Sequence, residues 1–208
     1  MQNQTQVNTQ STIPLENILV VPTTTLFFEG VWQGLRCVDQ LDLAKYMDII
    51  QTKCEFLSRP AMEEDSNYKQ IIPYLIFKYQ DKYFLMQRAS KASETRLRSK
   101  FSLGIGGHIR EDDMQGSSIF DWARREFAEE VDYKGNVTVE MLGILNDDSN
   151  EVGKVHVGLV MLLNGDSCDI KVESELKSGE LLTIDECLLY EAQMENWSKL
   201  VFAYLKNK

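Results

Sequence analysis

Gly106-Gly107-His108, followed by Arg125-Glu126-Phe127-Ala128-Glu129-Glu130-Val131, is the stretch on which the reading of this chain turns. Residues three and four apart on a helix are neighbours, so a helix over the second segment sets Glu126, Glu129 and Glu130 on one stripe. Phe120, Ala123, Phe127 and Val131 form an adjoining apolar stripe suited to a core. One face packs, and the other presents three carboxylates beside Arg125. Like charges that close repel, so the stripe is either a solvated surface or a site for a divalent metal.

The flanking sequence supplies a scaffold. Ile71 to Tyr79 reads as a strand, Gln80-Asp81-Lys82 as a turn and Tyr83 to Arg88 as the hairpin partner. Pro73, which has no N–H, is expected near an edge or a strand start. A polar, basic loop runs from Ala89 to Lys100. Phe101 to Gly107, with three glycines that permit tight bends and close backbone approach, is expected to be a loop rather than a regular element. Ser117 or Ser118 can cap the acidic helix, which should stop near Val131 because Asp132, Gly135 and Asn136 are turn-formers. Apolar stretches at 137–145 and 155–163 read as strands around a polar turn, Asn146 to Gly153. A short strand near Leu181 to Ile184 then leads into one long helix from Asp185 to Leu205, with Leu188, Leu189, Ala192, Trp197, Leu200, Val201 and Tyr204 on its apolar face.

Residues 1–14 are nearly all Gln, Asn, Thr and Ser, a composition expected of a flexible tail. From Leu15 to Phe28 short strand-like pieces are expected, and Asp39 to Leu57 shows helical spacing at Leu43, Tyr46, Met47 and Ile50. The expected organisation is a tail over 1–14, an extension over 15–66 packed on the core, and the main domain over 67–208.

Composition narrows the function. The chain has 208 residues, 43% of them hydrophobic, enough for a substantial core. Its 22 basic and 32 acidic side chains give a net charge of −10, which opposes attraction to polymeric nucleic acid or an anionic membrane. A small phosphorylated substrate stays open, because a bound cation supplies the positive field. Cys37, Cys54, Cys168 and Cys187 form no CxxC pair and are expected as buried, reduced thiols. The first basic residue is Arg36 and no apolar run approaches a membrane span, so a cytoplasmic protein is expected.

Carboxylate oxygens suit the octahedral preference of Mg²⁺ or Mn²⁺ better than zinc or copper. Such an ion bridges a diphosphate, neutralises charge developing on it and lowers the pKa of a water that attacks phosphorus. Hydrolysis of a P–O–P link is the chemistry that follows.

With an apolar hairpin, a glycine-paired loop, this helix and further strands in that order, the chain resembles a Nudix hydrolase. The signature of that family joins a glycine and a spaced glutamate to an Arg-Glu-apolar-x-Glu-Glu-x-Gly-apolar helix. Arg125 to Val131 matches the first seven of those helix positions. The resemblance implies an α/β fold, an α/β/α sandwich with a mixed β-sheet. It implies Glu129 and Glu130 as main ligands of Mg²⁺ or Mn²⁺, Glu126 as a further ligand or the water-activating base, and the Gly106 carbonyl as a backbone ligand. Arg125 would orient the glutamates, while Arg88, Gly107 and His108 are the candidate contacts to a diphosphate substrate.

Three departures stand out. The interval from Gly107 to Arg125 is about four residues longer than usual, so the loop holding Glu111 and Asp113 must bulge, and either of the two replaces the spaced glutamate. Asp132 stands where a glycine closes the helix, and it adopts a left-handed ending only at some cost. The loop reads Gly-Ile-Gly-Gly-His-Ile where many relatives carry a proline. The runs Asp65 to Tyr74 and Asn146 to Asn150, with Val155-His156-Val157-Gly158, are similar to a little-characterised branch of phosphoesterases in the same superfamily.

Plainer readings accompany each motif. A Glu-rich helix alone is usually a solvated face, and only its setting here argues otherwise. His156 lies in a strand pattern and is expected to be structural; Trp122 and Trp197 are expected in packing. Arg88, Arg96, Arg98 and Lys100 either contact phosphates or solubilise their loop. Asp147, Asp148, Glu173, Glu175 and Glu180 are candidates for a further acidic ligand. Two rivals remain. An isopentenyl-diphosphate isomerase would need a cysteine near the glycine loop, and none lies there. A non-catalytic nucleotide sensor commonly loses the box glutamates, which are retained here. A homodimer built across the extension is a further expectation.

Overall fold

A computed structural model of the chain describes residues 16–88, 100–114, 118–172 and 176–208. The tail over 1–14, Arg96, Arg98, Ser117, Glu173 and Glu175 lie outside the described residues.

The extension opens with β1 (Asn17–Pro22), continues through the short α1 (Thr23–Leu26) and β2 (Gly34–Cys37), and then forms α2 (Leu43–Lys53). Asp42 starts α2 by accepting a hydrogen bond from the Lys45 amide at 3.1 Å. Then come β3 (Glu55–Ser58) and α3 (Arg59–Met62). The strand-like expectation for Leu15 to Phe28 holds only up to Pro22; Thr23 to Leu26 turns into a helix, with Pro22 at its entry.

The hairpin follows as β4 (Tyr68–Tyr79) and β5 (Lys82–Arg88), turning at Gln80, whose φ is 55°. Phe101 to Gly106, expected as loop, instead forms two short strands, β6 (Phe101–Ser102) and β7 (Gly104–Gly106). They are held by neighbours: β6 pairs with β5, and β7 pairs with β4 through Tyr74 opposite Gly106 and Ile76 opposite Gly104. After a 3₁₀ turn at Glu111–Met114 come α4 (Ile119–Glu130), β8 (Val131–Tyr133), β9 (Val137–Asn146), α5 (Glu151–Val155), β10 (His156–Gly165), β11 (Ile170–Val172) and β12 (Leu176–Thr183).

The long final helix is broken. α6 (Ile184–Cys187) runs into a 3₁₀ segment, Leu188–Gln193, and α7 (Asn196–Leu205) starts afresh, because the Glu195 carboxylate caps it by accepting from the amides of Trp197 and Ser198. Leu188 and Leu189 consequently lie exposed rather than on an apolar face.

The main sheet runs in the order β12-β5-β4-β10-β9-β2, with β1, β3, β6 and β7 joined to its flank. It is mixed: β4 and β10 run parallel, and the other pairs are antiparallel. Side-chain alternation divides the core in two. Ile71, Leu75 and Phe77 of β4, with Phe84 and Met86 of β5, face Trp122 and Phe127 of α4. Tyr74 and Ile76, with Tyr83 and Leu85, face Val201, Phe202 and Leu205 of α7. Helices therefore cover both faces. Leu19, Val21, Trp32, Tyr46 and Ile50 of the extension join the first of these layers.

Pro73 occupies neither an edge nor a strand start. It sits mid-β4 opposite Leu159 of β10, and on the other side it falls between β1, which pairs as far as Gln70, and β7, which begins at Tyr74. The missing N–H lies where one partner hands over to the next. Thiols also differ from expectation: Cys37 and Cys187 are buried, but Cys54 is half-buried and Cys168 exposed.

Candidate active site

Phase decides where the α4 carboxylates point. Ser118 and Asp121 form a reciprocal cap, the Ser118 hydroxyl accepting from the Asp121 amide and the Asp121 carboxylate from the Ser118 amide. Trp122, Ala123 and Phe127 are buried, and Phe127 stacks on Phe77 with ring centres 5.5 Å apart. That rotation places Glu126 on the flank and leaves Glu129 outside. The helix ends without a left-handed residue: Val131 is extended and leads straight into β8, so Asp132 is not a helix-closing residue.

β7 carries the glycine loop to the same place. A Cβ on Gly107 would lie 2.3 Å from Glu126 Oε1, so a larger residue would push the end of this carboxylate away from the backbone. A Cβ on Gly104 would meet the Tyr74 ring at 2.4 Å. Burial, then the charges of Glu130 and Glu129, pushes the Glu126 carboxyl up to about 7.

Asp113 is the residue that meets Arg125. It accepts from Arg125 Nη2 at 2.8 Å, from the Trp122 indole N–H at 3.2 Å and from the Arg110 amide at 2.9 Å. Burial alone would raise its pKa, but the Arg110 amide, the Trp122 indole and the Arg110 guanidinium hold it below the usual carboxylate range. Glu111, the other candidate for the spaced acid, is exposed. Arg125 also approaches Glu129 at 3.9 Å, so it stands between the bulged loop and the outer glutamate.

Among the described residues, Glu126, Glu129 and Glu130 do not converge as a mutually close set. The set of three whose ligand atoms all lie within 4.8 Å of one another is Glu63, His108 and His156. His108 is turned toward Gln70, its Nε2 2.7 Å from Gln70 Oε1, and its ring packs against His156. Burial, then Arg59 and His156, pushes its pKa down to about 2. Nothing in the sequence pairs these histidines; they meet because His156 opens β10 opposite Gln70 in the parallel register.

The remaining candidates divide. Arg88 ends β5 opposite Leu176, and its side chain lies outside the described residues. Lys100 is exposed. Asp148 is committed to Lys69 at 2.6 Å, and Asp147 accepts from Gln33 at 2.6 Å. Glu180 sits on β12 opposite Leu85, away from α4. Trp122 is buried, and Trp197 packs edge-on against Tyr74. No helix among the described residues is long and apolar enough to cross a membrane.

No family model matches the chain. A curated relative, protein YmaB of Bacillus subtilis (strain 168), is 32% identical over 210 residues, covering 92% of this chain and 98% of that protein. The crystal structure of Tm1382, assigned to the Nudix hydrolases, superposes with a TM-score of 0.77 at 30% identity, covering 92% of this chain and 99% of that one. The Nudix domain of Shewanella oneidensis NrtR, solved with ADP-ribose, shares the fold at a TM-score of 0.52 and 14% identity, over 67% of this chain and 89% of that one. A capped helix bearing Arg125, Glu126, Glu129 and Glu130, a glycine pressed on Glu126 and near full-length likeness to Tm1382 together place the chain in the Nudix hydrolase family.

Proposed function

We propose that the protein is a Mg²⁺- or Mn²⁺-dependent pyrophosphohydrolase acting on a small molecule in which a nucleoside diphosphate is linked to a second group. The observation that carries this is the contact of Gly107 with Glu126, which puts a carboxylate of raised pKa beside the backbone of the glycine loop. In chemistry the donors suit a hard ion, which would draw the carboxylates of Glu126, Glu129 and Glu130 together beside the Gly106 carbonyl. When bound, the ion neutralises pyrophosphate charge and acidifies a water.

The chain's own groups do the rest. Glu126 would take the proton of the attacking water, a role suited to a carboxylate set against the glycine loop. Glu129 and Glu130 would hold the ion, and Arg125, braced by Asp113, fixes the helix against the loop. Of the proposed substrate contacts, Gly107 adjoins Glu126, whereas His108 turns toward Gln70 and His156. ADP-ribose, the ligand of the NrtR domain, belongs to the proposed substrate class.

The test is incubation of purified protein with Mg²⁺ or Mn²⁺ and a panel of nucleoside diphosphate sugars, ADP-ribose, dinucleoside polyphosphates and coenzyme A. Cleavage should vanish with chelator and fall by at least about 100-fold in Glu129→Gln and Glu130→Gln. Product release unchanged in both variants would overturn the assignment.

A further inference from the structure

We propose that Glu63, His108 and His156 form a second metal site, built for a borderline ion such as Zn²⁺ and separate from the carboxylates of α4. Their ligand atoms lie within 4.8 Å of one another, and they come from three segments: the end of α3, the glycine loop and the first residue of β10. Two imidazoles and one carboxylate are a donor set that favours Zn²⁺ over Mg²⁺.

The spacing of the imidazoles fits. His108 Nε2 and His156 Nε2 stand 3.4 Å apart. Two nitrogens bound at about 2.0–2.1 Å to a tetrahedral ion are separated by roughly 3.3–3.4 Å.

A bond from the other ring nitrogen fixes His156 as an imidazole is fixed around a bound ion. His156 Nδ1 lies 2.7 Å from the Val152 carbonyl, to which it donates, leaving Nε2 as the unprotonated nitrogen facing His108. Gln70 donates through Nε2 to the Met62 carbonyl at 3.1 Å, so its Oε1 is the atom facing His108. His108 therefore carries its proton on Nε2 when no ion is bound. An ion at Nε2 would displace Gln70 Oε1, which lies 2.7 Å from that nitrogen, and the proton would move to Nδ1 or to solvent. Arg59, the nearby cation, makes its shorter contact to Glu16 at 2.6 Å and reaches Glu63 only at 3.4 Å, which leaves the Glu63 carboxylate able to turn toward the ion.

Glu63 lies in the extension and His108 adjoins Gly107, so an ion here fastens the extension to the loop that meets Glu126. The site does not depend on the hydrolase assignment.

The experiment uses full-length protein with Glu129 and Glu130 both changed to Gln, so that the α4 site is removed. This variant should retain one Zn²⁺ per chain after dialysis and, loaded with Co²⁺ instead, show the intense visible band of a four-coordinate ion. Adding Glu63→Gln or His156→Gln should abolish the band and weaken Zn²⁺ binding by at least about 100-fold. Glu63 is partly exposed, so Glu63→Gln keeps the test decisive if His156→Gln fails to fold, as judged by circular dichroism. Absence of Zn²⁺ and of the Co²⁺ band in the α4 variant, or their persistence in Glu63→Gln, would overturn the proposal. Diphosphate cleavage that survives undiminished in the α4 variant, with the band intact, would count against the hydrolase assignment alone.

Discussion

Gly107 and Glu126 are in direct apposition: the carboxylate oxygen occupies the space where any larger residue would carry its Cβ, 2.3 Å away. Gly107→Ala must therefore push Glu126 or the loop aside. A displacement of about 1 Å at a reacting group can cost about 100-fold in rate. The variant should keep its circular dichroism spectrum and lose about that factor in kcat/KM on whichever diphosphate the parent cleaves. Full activity in Gly107→Ala would remove Glu126 from the chemistry.

Glu126 should also leave a mark on stability. Its carboxyl titrates at about 7 in the folded chain against an ordinary 4.5. The folded state then holds the proton more tightly, so stability is fully present below pH 4.5 and declines as pH rises through about 7. At about 1.4 kcal/mol per pH unit the effect is capped at about 3 kcal/mol, and partial solvent access trims it to about 1–2 kcal/mol. Without added metal, Glu126→Gln should melt higher than the parent at about pH 8, and the gap should close near pH 4.5. His108, pushed down to about 2, destabilises the fold on acidification, but both proteins carry it and the comparison cancels it. A gap independent of pH would show that Glu126 titrates normally.

Asp113 and Glu111 should separate cleanly. Asp113→Ala strands Arg125 and the Trp122 indole together, and loss of these charge-assisted bonds costs about 1–3 kcal/mol in chemical denaturation. Glu111→Ala, an exposed change, should stay within about 0.5 kcal/mol. Equal effects would mean that the bulged loop is held otherwise.

Lys69 is buried to 1% exposure, with Nζ 2.6 Å from Asp148 and 2.8 Å from the Gly153 carbonyl. Lys69→Met leaves both acceptors unmatched and should cost on the order of 2–4 kcal/mol, read as a shifted denaturation midpoint. A melt within error of the parent would show that water replaces the ammonium there.

What the sequence disclosed was local. The apolar run from Ile71 to Phe77 foretold strand β4, a serine at 117 or 118 foretold the start of α4, and helical spacing foretold α4 itself. What it hid was tertiary. Gly104 and Gly106 look like loop residues until β4 proves long enough to pair with them. Leu188 and Leu189 share helical spacing with Leu200 and Tyr204, yet Glu195 restarts the helix between them. Gln70 and His156 meet only through the parallel register of β4 and β10, and a pattern within one segment cannot report on that.

Strand β4 has a seam on one side, β1 below Pro73 and β7 above it, and β1 reaches past the seam: the Leu19 amide donates to the Ile109 carbonyl at 2.8 Å. Residues 16–66 are thus no appendage to be trimmed for convenience. A fragment beginning at β4 would bare an unpaired run of backbone from Tyr68 to Gln70 and unbuckle the turn behind His108, inviting another copy to supply the lost strand.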